Sequence, residues 1–198
     1  MRRIGLEPHG VTRRAAPGGG RRRSGESCGG AALNAAHALL RILDAVRDRI
    51  PDAAITTDII VGFPGETDDD FEQTLAVVAE AEYDSAYTFV FSPRPGTEAA
   101  SMVDRFVPAP VVAERYERLR VVVERSTAAK HRARVGRIEE VIVEGPSKTN
   151  PSLTTGRTPH NKLVHFDAAE PLRPGTFAAV RVSAAGAHHL MGELVDVT

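Results

Sequence analysis

The apolar positions of this chain change their period along its length, and the changes mark the elements. Leu39, Ile42, Leu43, Val46 and Ile50 recur at helical spacing, and Pro51 stops the run. Ala53 to Val61 is then almost unbroken in apolar and β-branched residues. That is the pattern of a strand buried on both faces, as in a parallel sheet. It ends in Gly62-Phe63-Pro64-Gly65-Glu66-Thr67. Thr67 is placed to cap a helix whose first turn holds Asp68, Asp69 and Asp70, where the helix dipole favours negative charge. The spacing predicts that helix to about Glu82, with Phe71, Leu75, Val78 and Ala79 inward. A second strand is predicted over 86–91, followed by the loop Ser92-Pro93-Arg94-Pro95-Gly96-Thr97. Residues 38–97 thus read α–β–α–β with parallel strands and a right-handed crossover. Two strands alone close no barrel.

Pro108 to Val135 reads as one long helix, with Tyr116, Leu119 and Val123 as its apolar stripe and Glu114 facing Arg118. Its last turns carry Lys130, His131, Arg132 and Arg134, and Gly136 supplies the terminating position. From Arg137 the period switches to two. Strands are predicted near 137–144, 152–157, 162–167, 176–183 and 188–196, separated by Gly145-Pro146, Pro159-His160-Asn161, Pro174-Gly175 and Ala185-Gly186. Five short strands in so few residues suggest a small OB-like barrel. The first 37 residues differ from all of this. Gly18–Gly20, Arg21–Arg23 and Gly29-Gly30 leave few large apolar side chains, so the segment reads as an unstructured Arg/Gly-rich arm.

Composition narrows the possibilities. The 198 residues are 42% apolar and 26% charged, an ordinary globular balance. One cysteine excludes a disulfide framework, and it excludes a thiolate-ligated zinc or iron–sulfur site built from this chain alone. No apolar run has the length of a membrane helix, and the arginines at the N-terminus lack the apolar core of a secretory signal. The expected location is cytoplasmic, with no membrane partner. The net charge of −1 conceals blocks of +5 (1–37), −9 (38–98), +5 (99–137) and −2 (138–198). A basic block can meet an anion such as RNA, or form a solvated helix face.

The candidate chemistry lies in loops. Gly62–Thr67 and Ser92–Thr97 both follow strands, the edge where α/β folds bind ligands. The first is either a backbone surface close to a cofactor or a tight, well-capped turn. Arg94, held between two prolines, suits a carboxylate or phosphate, or a partner in the acidic block. Gly156-Arg157-Thr158-Pro159-His160-Asn161-Lys162 joins two barrel strands and offers guanidinium, imidazole, amide and ammonium donors. It is either an RNA-binding loop or a polar hairpin turn. His188 and His189 are adjacent, so in a strand they face opposite sides and do not share one metal. No Ser/His/Asp arrangement and no Walker loop is present, and Cys28, flanked directly by Ser27 and Gly29 in the Arg/Gly-rich arm, reads as incidental.

Five segments occur in one order: TTDIIVGFPGET (56–67), FSPRPGT (91–97), VEGPSK (143–148), GRTPHNKLVHF (156–166) and HLMGELV (189–195). In that order the chain resembles the C-terminal half of the radical-SAM tRNA methylthiotransferases of the MiaB type, over about Leu39 to Val197. The resemblance implies an α/β fragment of a radical-SAM partial barrel (38–107), a connecting basic helix (108–136) and an OB-like TRAM domain that grips RNA (137–198). It implies an enzyme that adds a methylthio group to isopentenylated adenosine beside the tRNA anticodon. The family uses S-adenosyl-L-methionine and two 4Fe–4S clusters. By this likeness Gly62, Pro64, Gly65, Glu66 and Arg94 would lie at the S-adenosylmethionine side. Lys148, Arg157, Thr158, Asn161 and Lys162, with Lys130, Arg132 and Arg134 of the helix, would contact the anticodon stem-loop. The CxxxCxxC loop of the family is absent from these 198 residues. The expectation is a truncated or frameshifted form, inactive alone and without catalytic residues, metal or cluster of its own. It would retain tRNA binding, serve as a standalone RNA-binding module, or form one half of a split enzyme with a separately encoded cluster-bearing chain.

Overall fold

The computed structural model describes residues 28–197, which form two compact units. One comprises the described residues up to Asp52, with Thr56–Ala81 and Ala86–Val122; the other comprises Ala53–Ile55, Glu82–Ser85 and the chain from Val123. The arm read over residues 1–37 lies outside the described residues as far as 27. Its last ten residues are instead the start of helix α1 (Cys28–Arg49). Between the glycines and Ala38 the sequence is rich in alanine with one leucine, and alanine is the strongest helix former.

In the first unit, β1 (Thr56–Val61) and β2 (Ser85–Val90) form a two-stranded sheet. Asp84 N donates to Ile55 O at one end and Phe91 N to Val61 O at the other, so the strands run parallel. The strand predicted from Ala53 begins only at Thr56, and it is not buried on both faces. Its burial alternates, leaving Ile60 half exposed, because one face of the sheet is covered less than the other. Tyr87, Phe89 and Val90 of β2 are exposed as well.

Helix α2 (Asp68–Ala81) starts where the sequence places it. Asp70 N donates to Thr67 Oγ1 (3.1 Å) while Thr67 N donates to Asp70 Oδ2 (3.0 Å), a reciprocal cap. Hydrogen bonds from the Thr67 hydroxyl and then its N–H hold the Asp70 carboxyl below the usual range. Phe71, Val78 and Ala81 are the buried residues, in place of the predicted Ala79. Arg47 of α1 donates to the Ala81 carbonyl at the helix end, drawing that turn inward. A short helix α3 (Glu98–Ser101), capped by Thr97, and a 3₁₀ turn (Val103–Arg105) lead to α4 (Ala109–Arg132). Val112 and Leu119 of α4 are buried, and Arg118 pairs with Glu72 of α2 at 2.7 Å, not with Glu114 as its spacing predicts.

The second unit is dominated by a closed barrel in the order β3-β4-β5-β7-β6. Its strands are β3 (Ile138–Pro146), β4 (Thr154–Arg157), β5 (Leu163–Asp167), β6 (Phe177–Ala185) and β7 (Leu190–Val197). All five lie within two residues of their predicted limits. Pairing is antiparallel except for β5 with β7. Closure leaves no free sheet edge. The alternation of β3 is perfect, and Val141, Val143, Val164, Phe166, Val180, Val182 and Leu190 fill the interior. Gly192 faces this core where a Cβ would meet the Val180 side chain and lie 2.8 Å from the Arg181 carbonyl, so glycine alone fits there. Among the described residues, no helix is long and apolar enough to cross a membrane.

Candidate functional site

The loop Gly62–Thr67 is built around a buried guanidinium. Arg115 of α4 is 4% exposed and pairs with Glu66 at 2.8 Å and Asp68 at 2.5 Å. It also donates to the Glu66 carbonyl, while its plane lies 5.5 Å from the Phe71 ring centre. Glu66 in turn accepts from Gly62 N at 2.8 Å. Gly65 N donates to Arg105 O, and Glu66 N to Phe63 O. The loop amides of Gly62, Gly65, Glu66 and Thr67 are therefore all satisfied inside the unit. Gly62 and Gly65 both have positive φ; a Cβ at Gly62 would lie 2.6 Å from Val112, and one at Gly65 would overlap the Arg105 guanidinium. Pro64 is buried. Both glycines are thus explained by the turn and its close packing. Sequence spacing did not show Arg115, which organises the loop from 49 residues away. Phe63 is half exposed, and its ring packs edge-on against Phe91, which packs in the same way against Phe106. Arg94 is exposed in the second loop.

In the barrel unit the structure separates the basic residues into two groups. Lys162 is inside: its side chain is 4% exposed and its Nζ lies 2.8 Å from Asp84 Oδ1. Asp84 also accepts from Ile55 N, so one carboxylate joins the segments 53–55 and 82–85 to the barrel. Within the same unit, Ser126 Oγ donates to Tyr83 O. Arg134 is also buried, 3.2 Å from Glu139, the one charged residue at an inward position of β3. His160 and Arg137 lie 3.9 and 4.0 Å from the same carboxyl group.

Thr158 is buried as well and closes the β4–β5 turn. Thr158 N donates to Lys162 O, Lys162 N to Thr158 Oγ1, and Asn161 N to Thr158 O. Pro159 sets the φ of the turn's second residue, and Asn161 adopts φ 61°, which asparagine tolerates. The segment is a tightly hydrogen-bonded turn between β4 and β5. Arg157 pairs with Glu144 at 2.6 Å and donates to Asn161. Lys130 lies 3.6 Å from Glu82. Lys148, Arg132 and Asn161 face solvent.

His131 is buried at the end of α4, with Nδ1 3.0 Å from Gly186 O. Burial first, and then the Lys162 ammonium and His188, hold its imidazole below the ordinary pKa, against the raising effects of Gly186 and Asp84. The folded state thus binds this proton less tightly than the unfolded chain does. Stability contributed by neutral His131 is complete above the unfolded pKa of about 6.5 and is lost as pH falls below it. Urea midpoints are expected to decline from about pH 7 to about pH 5.5, and to decline less in His131→Gln. An equal decline in both proteins would assign the effect to other groups.

Among the described residues, no group of three or more His, Cys, Asp and Glu side chains is placed to hold a metal ion. With one cysteine in the sequence, the residues of this chain do not fit an iron–sulfur cluster, which needs several thiolates.

Comparison with known proteins agrees with this architecture. Residues 132–195 match the TRAM domain model. The chain is 53% identical over 163 residues to the tRNA-2-methylthio-N(6)-dimethylallyladenosine synthase of Kineococcus radiotolerans, covering 79% of this chain and 32% of that protein. The synthase of the same name from Tropheryma whipplei is 47% identical over 157 residues, covering 78% and 33%. That from Geobacillus kaustophilus is 49% identical over 157 residues, covering 79% and 29%. The chain spans about a third of the length of the curated relatives it matches. By the OB-like TRAM barrel and by identity near one half along four-fifths of its length, the chain corresponds to the C-terminal part of the tRNA-2-methylthio-N(6)-dimethylallyladenosine synthases.

Proposed function

We propose that this chain is an RNA-holding part of a tRNA methylthiotransferase: its barrel binds the tRNA anticodon stem-loop, and it has no catalysis of its own. The observation that carries the reading is the closed TRAM barrel within a chain so similar to tRNA-modifying synthases. In barrels of this kind the face of the second and third strands, with the flanking loops, receives oligonucleotides. Here those strands are β4 and β5. Solvent-facing Lys148, Arg132 and Asn161 are the candidate RNA contacts, with Arg157 and Lys130 at the rim in exchange with Glu144 and Glu82. Lys162, Arg134 and Thr158 support that surface from inside. S-adenosyl-L-methionine, when bound in the family enzyme, supplies the radical chemistry. Gly62, Pro64, Gly65, Glu66 and Arg94 are the residues of this chain nearest that role. The loop amides are satisfied internally, so this chain would shape a pocket edge there and not donate to the cofactor.

Fluorescence anisotropy with a labelled anticodon stem-loop RNA tests the proposal. Binding is expected to weaken with salt along a straight line in log–log form, with a slope of about −2 to −3 for a few phosphate contacts on a partly single-stranded RNA. Lys148→Ala should lower that slope by about 1. No binding, or binding indifferent to salt, overturns the reading.

A second reading, one half of a split enzyme, draws on the exposed Ile60, Tyr87, Phe89 and Val90 of the two-stranded sheet. Exposed apolar side chains of this kind suit cover by another polypeptide. Co-purification of a cluster-bearing chain distinguishes this second reading from the first.

A further inference from the structure

The outer face of the barrel carries a titratable pair that the RNA contacts named above do not include. His165 lies in the middle of β5, and its Nδ1 is 2.9 Å from the Thr155 hydroxyl on β4. The His189 ring, from the turn before β7, is centred 5.0 Å from the His165 ring and tilted 58° to it. Gly186 makes room for this: a Cβ there would lie 3.3 Å from His189 Cε1 and 3.4 Å from Nε2. Both imidazoles are half-buried, so one side of the pair remains reachable, and His188 beside them is exposed.

The surroundings leave the pair without a carboxylate directly opposite. Thr155 is the partner of His165 on β4 and Met191 its partner on β7. Asp167 and Glu193 pair with each other two residues further along the same strands. Arg157, two residues along β4 from Thr155, is engaged with Glu144. Burial first, and then His189, push the His165 imidazole below its usual range. Two imidazoles this close charge together only at a cost, and an anion brought against them removes that cost. β4, β5 and the turn at 186–189 are the second strand, the third strand and the loop between the fourth and fifth. In OB-type barrels these form part of the oligonucleotide surface.

We propose that the His165–His189 pair receives an RNA phosphodiester and takes up one proton from solvent as it does so. The inference rests on the RNA-binding reading. With His165 Nδ1 engaged by Thr155, Nε2 is the nitrogen left for the phosphate oxygen. No covalent bond changes, and the proton moves from water or buffer to an imidazole nitrogen.

The test uses the whole chain and the stem-loop RNA at about pH 7.5 and about pH 6, with folding checked at both by circular dichroism. Affinity is expected to rise by up to about thirtyfold at the lower pH, the limit for one linked proton over roughly one and a half pH units. Calorimetry in buffers of different ionisation heat should show about one proton taken up per RNA bound. The double variant His165→Gln/His189→Gln should keep salt-dependent binding but lose the pH response, while His188→Gln keeps it. Binding without proton uptake by the unaltered protein, or a pH response unchanged in the double variant, overturns the inference and leaves RNA binding standing. Equal proton uptake with inorganic phosphate alone would assign the pair to free phosphate and overturn the RNA assignment. Absence of RNA binding at both pH values overturns the underlying reading as well.

Discussion

Replacing Asp84 by alanine is expected to cost the barrel unit about 3–5 kcal/mol, the range for removing one partner of a buried ion pair. The Lys162 side chain is 4% exposed and has the Asp84 carboxylate 2.8 Å away. Without that carboxylate an ammonium group stays in a dry site, and it must be desolvated unpaired or give up its proton. The Ile55 N–H loses its acceptor in the same step. Lys162→Met should cost less, because the longer apolar chain fills much of the same volume and the remaining carboxylate is nearer solvent. The double variant Asp84→Leu/Lys162→Met should recover most of the loss, since neither charge is then left alone. Urea unfolding of the four proteins measures the coupling. If Asp84→Ala shifts stability by less than about 1 kcal/mol, the pair behaves as an exposed one and the burial argument is wrong. RNA affinity per folded molecule should survive in the double variant, because the lysine works inside and not at the surface.

Arg115→Met is expected to be the most damaging single change in the α/β unit, at about 3 kcal/mol. The methionine keeps the apolar stem beside Phe71 but removes the charge that Glu66 and Asp68 share. Glu66 carries most of the effect: its side chain is 12% exposed and would retain only the Gly62 N–H as partner. Asp68 is 93% exposed and is screened by water, so its share is small. The expected local result is faster hydrogen exchange at the Gly62 and Gly65 amides, because the loop loses its anchor before the helices melt. Exchange unchanged at those amides, with stability also unchanged, would show that the turn holds its shape through backbone geometry alone.

Much of this architecture is legible in the sequence. The switch from helical period to alternation at Arg137 located the barrel, and Gly145, Pro159-His160-Asn161, Gly175 and Gly186 marked its turns. The cap at Thr67 was readable because its partners, Asp70 N and the Asp70 carboxylate, are three residues away. The start of α1 is hidden in the sequence, because the glycines at 29 and 30 outweigh the alanines after them. The apolar run from Ala53 reads as doubly buried, because such a run does not record which face of its sheet is covered. Helical spacing pairs Arg118 with Glu114, whereas its partner is Glu72 on another helix.

The candidate site was less legible than the fold, and the reason is physical. Lys148 and Lys162, or Arg132 and Arg134, differ little as sequence, yet the first of each pair faces solvent and the second is buried. What buries Lys162 is a carboxylate at residue 84, and what engages Arg115 is a carboxylate at residue 66. The pairing of His165 with His189 likewise depends on β5 lying beside β7. By itself the sequence determined the barrel, the helix caps, the family segments and the cysteine count, because period, propensity and composition act over a few neighbouring residues. Only the tertiary structure decided which charges are buried in ion pairs and which face solvent. Burial is set by partners distant along the chain, and no local pattern records them.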